Sequence, residues 1–252
     1  YLARMNWWTN EYGLVGPMSE PKIYGAGLLS SVGESYECLK PTVKKIPFSV
    51  DCIHHAYDIT RPQPELFVAK DFDELIYALD QFASTMAYRI GGAKALEIGK
   101  KSQNTVTVVS DNGIQFSGIL EDFAVNESNE PIWYQMGGAK QIAVNDENSE
   151  EITHYKMGAS VMVPLFDRSI AATSMEGIRA KLHTTGLQAK GGLRVFGRVI
   201  KDVRVGGRAH VLILENVKIE KSGKVIFYER VGHYPLFLGS DVTSVFGGAA
   251  DR

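Results

Sequence analysis

The sequence predicts an α+β protein, a helical part over residues 1–92 followed by a mostly antiparallel β-rich part over 104–252. Three observations predict it. Apolar residues recur at helical spacing before Gly91-Gly92, as in Phe72, Leu75, Ile76, Leu79, Phe82, Ala83 and Met86. After those glycines the period drops to two, in many short runs. Asp111-Asn112-Gly113 then separates two alternating segments, a strong hairpin signal.

Taken in order, Leu2, Met5 and Trp8 open a helix expected from about residue 1 to 14. A loop through Gly16-Pro17 and Glu20-Pro21 follows, and a second helix is expected from Ser31 to about Leu39, before Pro41. Ser31 and Glu34 have capping-box spacing there. Residues 49–57 suggest a short helical turn, Leu66–Ala69 a strand, and 71–88 a core-packing helix begun by Asp71 and Glu74. The expected strands are 105–109, 114–120, 132–136, 141–144, 161–165, 193–200, 209–214, 217–220 and 225–229. Gly137-Gly138 and Ser222-Gly223 separate two pairs of them. The domain boundary is expected between Gly91 and Asn104.

Chemistry concentrates between Asn6 and Glu34. On a helix, Glu11 shares a face with Trp7, Trp8, Leu14 and Val15, which turns a carboxylate toward the apolar side. A buried carboxylate must be protonated, paired with a cation or bound to a metal. Tyr24-Gly25-Ala26-Gly27-Leu28-Leu29-Ser30-Ser31 then places two glycines where backbone or a ligand can approach closely, and ends in hydroxyls.

These segments resemble the C-terminal half of the catalytic domain of the pterin-dependent aromatic amino acid hydroxylases, the phenylalanine 4-monooxygenase family. The likeness lies in Thr9 to Leu14, in Lys22 to Glu34 and in Gln63 to Phe72, over roughly the first 90 residues. It implies that 1–92 is a partial hydroxylase catalytic domain and that Glu11 is the carboxylate of a two-histidine, one-carboxylate site for Fe(II). Trp7, Tyr12, Gly27, Ser30 and Ser31 would wall the amino-acid pocket, with Ser30 bracing an iron-ligand histidine and Ser31 doubling as a helix cap. Tetrahydrobiopterin or a related tetrahydropterin would be the cofactor, an aromatic amino acid and dioxygen the substrates. Three positions depart from the family pattern: Asn10 stands for Val, Tyr12 for Phe, and Asn6 for an aromatic near the pterin.

The family's two histidines come from an H-x4-H motif ahead of the glutamate. Here all six histidines follow Glu11 and none shows that spacing. Tyr1 is not an initiator Met, and the helical pattern begins at once, so the chain reads as a fragment of a longer, iron-dependent monooxygenase, inactive by itself. A non-catalytic binding protein or a split-enzyme subunit is the alternative.

The remaining features exclude other classes. A net charge of −2 gives no electrostatic case for nucleic acid or an anionic membrane. The basic stretch from Lys190 to Arg208 alternates with Val, Leu and Phe, as one solvated sheet face would. No apolar run approaches the roughly 20 residues that span a bilayer, and two cysteines without metal or redox spacing suit a reducing, cytoplasmic setting. The β-rich part carries no chemical motif and is assigned an accessory or oligomerisation role.

Overall fold

The computed structural model describes residues 1–144, 160–205, 208–230 and 232–249. It falls into two compact units, Tyr1–Thr85 and Met86–Arg252. His154 lies outside the described residues. No helix among them is long and apolar enough to cross a membrane.

The first unit begins with α1 (Leu2–Asn6), which continues into a wider π turn, Trp7–Glu11. The expected helix to residue 14 is corrected here. Its end comes at Glu11 because the Gly13 carbonyl accepts from the N–H groups of Tyr24 (3.3 Å) and Gly25 (3.1 Å). Leu14–Val15 therefore form strand β1, paired antiparallel with β2 (Lys22–Ile23), and share no helical face with Glu11. Helices α2 (Ala26–Ser30) and α3 (Val32–Glu37) follow, then β3 (Lys44–Pro47), a 3-10 turn (Val50–His54) and β4 (Glu65–Ala69). The sheet order is β2-β1-β4-β3, with β4 parallel to both neighbours. Met5, Trp8, Leu14, Leu28, Cys52 and Leu66 are buried in this unit. Both cysteines are free thiols, and burial pushes Cys52 up to about 11, so at neutral pH it is an inert packing group.

Helix α4 (Phe72–Ala83) is capped by Asp71, whose carboxylate accepts from Glu74 N at 2.9 Å, while the Glu74 carboxylate accepts from Lys70 N at 2.6 Å. It does not pack as a core helix along its whole apolar stripe. Ala78, Phe82 and Ala83 are buried, but Phe72, Ile76 and Leu79 are 57, 60 and 50% exposed. The chain breaks after Ala83 and resumes as α5 (Ala87–Ile90), so the single helix expected to residue 88 is two.

Among its described residues the second unit has α5, α6 (Gly92–Ser102), α7 (Met175–His183) and ten strands: β5 (Thr105–Ser110), β6 (Ile114–Val125), β7 (Pro131–Val144), β8 (Val161–Pro164), β9 (Leu187–Gln188), β10 (Leu193–Val205), β11 (Arg208–Lys221), β12 (Lys224–Glu229), β13 (Tyr234–Phe237) and β14 (Val242–Gly247). One sheet runs β14-β5-β6-β7-β8; the other runs β12-β11-β10-β9, with β13 also on β11. Every pairing described in this unit is antiparallel. Their apolar faces form one continuous core, in which the Phe116 and Phe237 rings meet at 4.8 Å.

Two expected breaks turn out to be continuous strand. Gly137-Gly138 lies inside β7, where Gly137 makes room for the Glu121 side chain: an added Cβ would stand 1.8 Å from its Oε1. Residues 209–214 and 217–220 are both part of β11. The Asp111-Asn112-Gly113 turn is present, with Gly113 N donating to Ser110 O at 3.0 Å and Gly113 at φ +80°.

The second unit also carries a charge cluster. Asp241 accepts from Lys190 at 2.7 Å and from Arg168 at 2.9 Å, and these bonds, Lys190 first, hold its carboxyl below the usual range. A lowered folded-state value contributes stability that is present at neutral pH and is lost as pH falls below about 4. Melting curves taken across that acid range should therefore fall less steeply for Asp241→Asn than for the parent chain. An unchanged slope would remove Asp241 from acid unfolding.

Candidate active site around Glu11

The site is built where the first helix widens. Tyr12 N donates to Trp7 O at 2.8 Å, five residues back, and Thr9 Oγ1 donates to Met5 O at 2.7 Å, the back-bonding that loosens a helix. Such single wide turns insert one extra residue and re-aim side chains, and they recur at functional sites.

Trp7, half-buried, lies between two parallel rings. Tyr12 stacks on it at 4.4 Å and 18°, and Tyr57 at 4.3 Å and 10°. Its indole Nε1 is buried without a hydrogen-bond partner among the described residues. Trp8 faces the other way, fully buried against Phe67, with its Nε1 donating to His55 O at 3.1 Å. Tyr57 is the member of this stack that the sequence did not single out. It sits 50 positions from Trp7, and an isolated Tyr after two histidines carries no periodic signal.

The Tyr12 hydroxyl donates to Glu34 Oε2 at 3.2 Å. Burial pushes the phenol up, and the carboxylates of Glu34 and then Glu11 add to the shift. Glu34 thus turns away from the reciprocal half of a capping box. Ser31 still caps α3, accepting from Glu34 N at 3.3 Å. Ser30 is exposed and donates to Gly27 O at 3.0 Å; among the described residues it touches no histidine.

Both glycines of the Tyr24–Gly27 loop lie against Glu11. A Cβ on Gly25 would stand 2.4 Å from the Glu11 carbonyl oxygen and 2.6 Å from Gly13 N. A Cβ on Gly27 would meet the same carbonyl at 3.0 Å, the Tyr12 ring at 3.0 Å and Glu11 Oε2 at 3.4 Å. Gly27 therefore lies directly over the carboxylate. Glu11 is half-buried, and its carboxylate has no hydrogen bond or ion pair among the described residues. Trp7, Tyr12, Glu11 and Gly27 come together; Ser30 and Ser31 lie on the same loop with local backbone partners.

A single carboxylate of this kind has the chemistry of a metal ligand, but the described residues do not fit a complete iron site. No three of their His, Cys, Asp or Glu side chains converge. His55 pairs with Glu65 at 2.9 Å, and His54 stands edge-on to the Tyr1 ring at 5.3 Å. Asn6, at the position expected near a pterin, is exposed and accepts from Asn10 Nδ2 at 2.9 Å.

Residues 1–94 match the family model for biopterin-dependent aromatic amino acid hydroxylases. Phenylalanine-4-hydroxylase of Vibrio cholerae is 41% identical over 83 residues, 32% of this chain and 28% of that protein. The human phenylalanine-4-hydroxylase is 37% identical over 86 residues, 34% of this chain and 19% of that one. Among solved structures, the iron- and phenylalanine-bound phenylalanine hydroxylase of Chromobacterium violaceum is 37% identical, covering 31% of this chain and 30% of its own, with a TM-score of 0.29. The chain thus spans less than a third of the length of these relatives.

Proposed function

With residues 1–94 belonging to the biopterin-dependent aromatic amino acid hydroxylases, we propose that the chain is part of an iron(II)- and tetrahydropterin-dependent monooxygenase. The parent enzyme would hydroxylate the ring of an aromatic amino acid with dioxygen, phenylalanine being the first choice, and would work in the cytoplasm. Residues 1–92 are its partial catalytic domain and 104–252 an accessory domain through which copies associate.

The observation that carries this reading is the Glu11 carboxylate, half-buried beneath Gly27 with no hydrogen bond or ion pair among the described residues. A carboxylate in that state is prepared for a cation. It would supply one ligand, and two histidines from outside these residues would supply the others; iron and pterin would activate oxygen when bound. This chain's own part is to fix the bearing of the carboxylate through the wide turn and to hold Tyr12 through Glu34. Its stacked rings also present an aromatic wall to the substrate.

Glu11→Ala in the full-length protein tests it. Iron content and phenylalanine turnover should both fall by at least about 100-fold, since even the partners behind a metal ligand are worth about 10–100-fold. Retention of both would sink the assignment. That no three donors converge among the described residues favours a second reading, a non-catalytic binding protein or a split-enzyme subunit. Iron bound to this chain alone should be well below one per chain under either reading. Only the split enzyme predicts that an added polypeptide bearing the two histidines restores turnover.

A further inference from the structure

We propose that the second unit holds a separate binding site for a small organic acid with an apolar body. The site is a cleft of about 650 Å³ framed by the β5–β6 turn, the start of α7, the paired ends of β10 and β11, and the β13–β14 connection. That volume is within the range of small-molecule pockets. All of its lining residues belong to the second unit, so it is independent of Glu11 and of the hydroxylase reading.

One buried polar atom on its wall, His210 Nδ1 on β11, lacks a hydrogen-bond partner among the described residues. Native structures rarely leave such an atom unsatisfied, and a ligand is one of the few groups that satisfies it. Ser110 is 3% exposed, and its hydroxyl has the Tyr134 phenol as its hydrogen-bonding neighbour.

Charge selects the ligand class. Asp202 accepts from Arg204 Nε at 2.6 Å and from Arg179 at 3.0 Å, so two guanidinium groups share one carboxylate and a positive charge is left over. Arg204 lines the cleft, and its terminal nitrogens make no hydrogen bond among the described residues. That free edge matches a carboxylate, which an arginine fork binds in two parallel bonds. Asp111 is on the same wall, but its Oδ1 already accepts from the backbone N–H groups of Ser240 (2.7 Å) and Asp241 (3.1 Å). Ile178 and Leu238 supply apolar wall for the body of the ligand.

Titration calorimetry on the full chain, with 4-phenylbutyrate and decanoate as an aromatic and an aliphatic acid, tests the proposal. At least one acid should bind saturably, and its amide about tenfold more weakly, the loss expected for one charge-assisted contact. Arg204→Gln should abolish the difference between acid and amide. His210→Phe should weaken the acid while leaving the melting temperature of the free chain equal or higher, which separates a ligand contact from a structural one. Trp7→Ala should leave the affinity unchanged. No saturable binding by either acid, equal binding of acid and amide, or sensitivity to Trp7→Ala without sensitivity to Arg204→Gln would each overturn it.

Discussion

Alanine in place of Gly25 should destabilise the first unit by about 3 kcal/mol or more, the range of an overpacked site that cannot relax. The cause is purely steric. Gly25 has an ordinary extended backbone, φ −63° and ψ 131°, that any residue adopts. The added methyl would instead overlap backbone on two sides, the Glu11 carbonyl and Gly13 N, at 2.4 and 2.6 Å. Backbone cannot swing aside as a lysine tip does, so either the loop lifts or the wide turn unwinds. Guanidinium unfolding followed by tryptophan emission reads this, since Trp7 and Trp8 lie in the first unit. An unfolding midpoint equal to that of the parent would mean that the Tyr24–Gly27 loop does not rest on Glu11.

Phe116→Ala should cost about 3–5 kcal/mol in the second unit, the usual loss for a fully buried aromatic. Phe116 has no exposed surface, lies at the middle of its sheet and meets Phe237 across the core. Its strand neighbours are fixed by ladders on both sides, Val108 on β5 and Ile142 on β7, so the void cannot collapse easily. Phe116→Leu, which keeps most of the volume, should lose less than half as much. Equal losses for the two variants would show that the ring is not tightly enclosed.

Local signals in the sequence located much of this molecule. The Asp71 cap, the β4 strand, the Ser31 cap and the Asp111–Gly113 turn all depend on residues within four positions of one another, and all are present. Features that depend on distant partners were not legible. The early end of the first helix follows from Gly13 accepting two bonds from the Tyr24–Gly25 backbone, which no helical spacing reveals. Helix α6 was hidden by its small buried residues, Ala93, Ala95 and Gly99, which carry little hydropathy. Helix α7 has only Ile178 and Leu182 on its buried side, too short a pattern to stand out, although Ser174 caps it. Gly137-Gly138 looked like a turn because glycine usually punctuates. Here it yields space to Glu121 on the neighbouring strand β6.

Around Glu11 the residues themselves were legible and their arrangement was not. The apolar neighbours Trp7 and Trp8 were both placed on one face with the carboxylate. The wide turn separates them, sending Trp8 into the core and Trp7 into a stack with Tyr12 and Tyr57. The capping pair at Ser31 and Glu34 was half right, since Glu34 serves Tyr12 instead.

That one wide turn makes the compass bearing of the acid a matter of counting. Each residue of an ordinary helix advances the chain by about 100°, so removing a single residue between Trp7 and Glu11 would swing the carboxylate about a quarter-turn off its glycine roof while leaving every neighbouring letter in place. Substitutions along this segment can therefore be tolerated where a change of length cannot. The spacing between indole and acid thus sets the direction of the carboxylate as much as the residue types do.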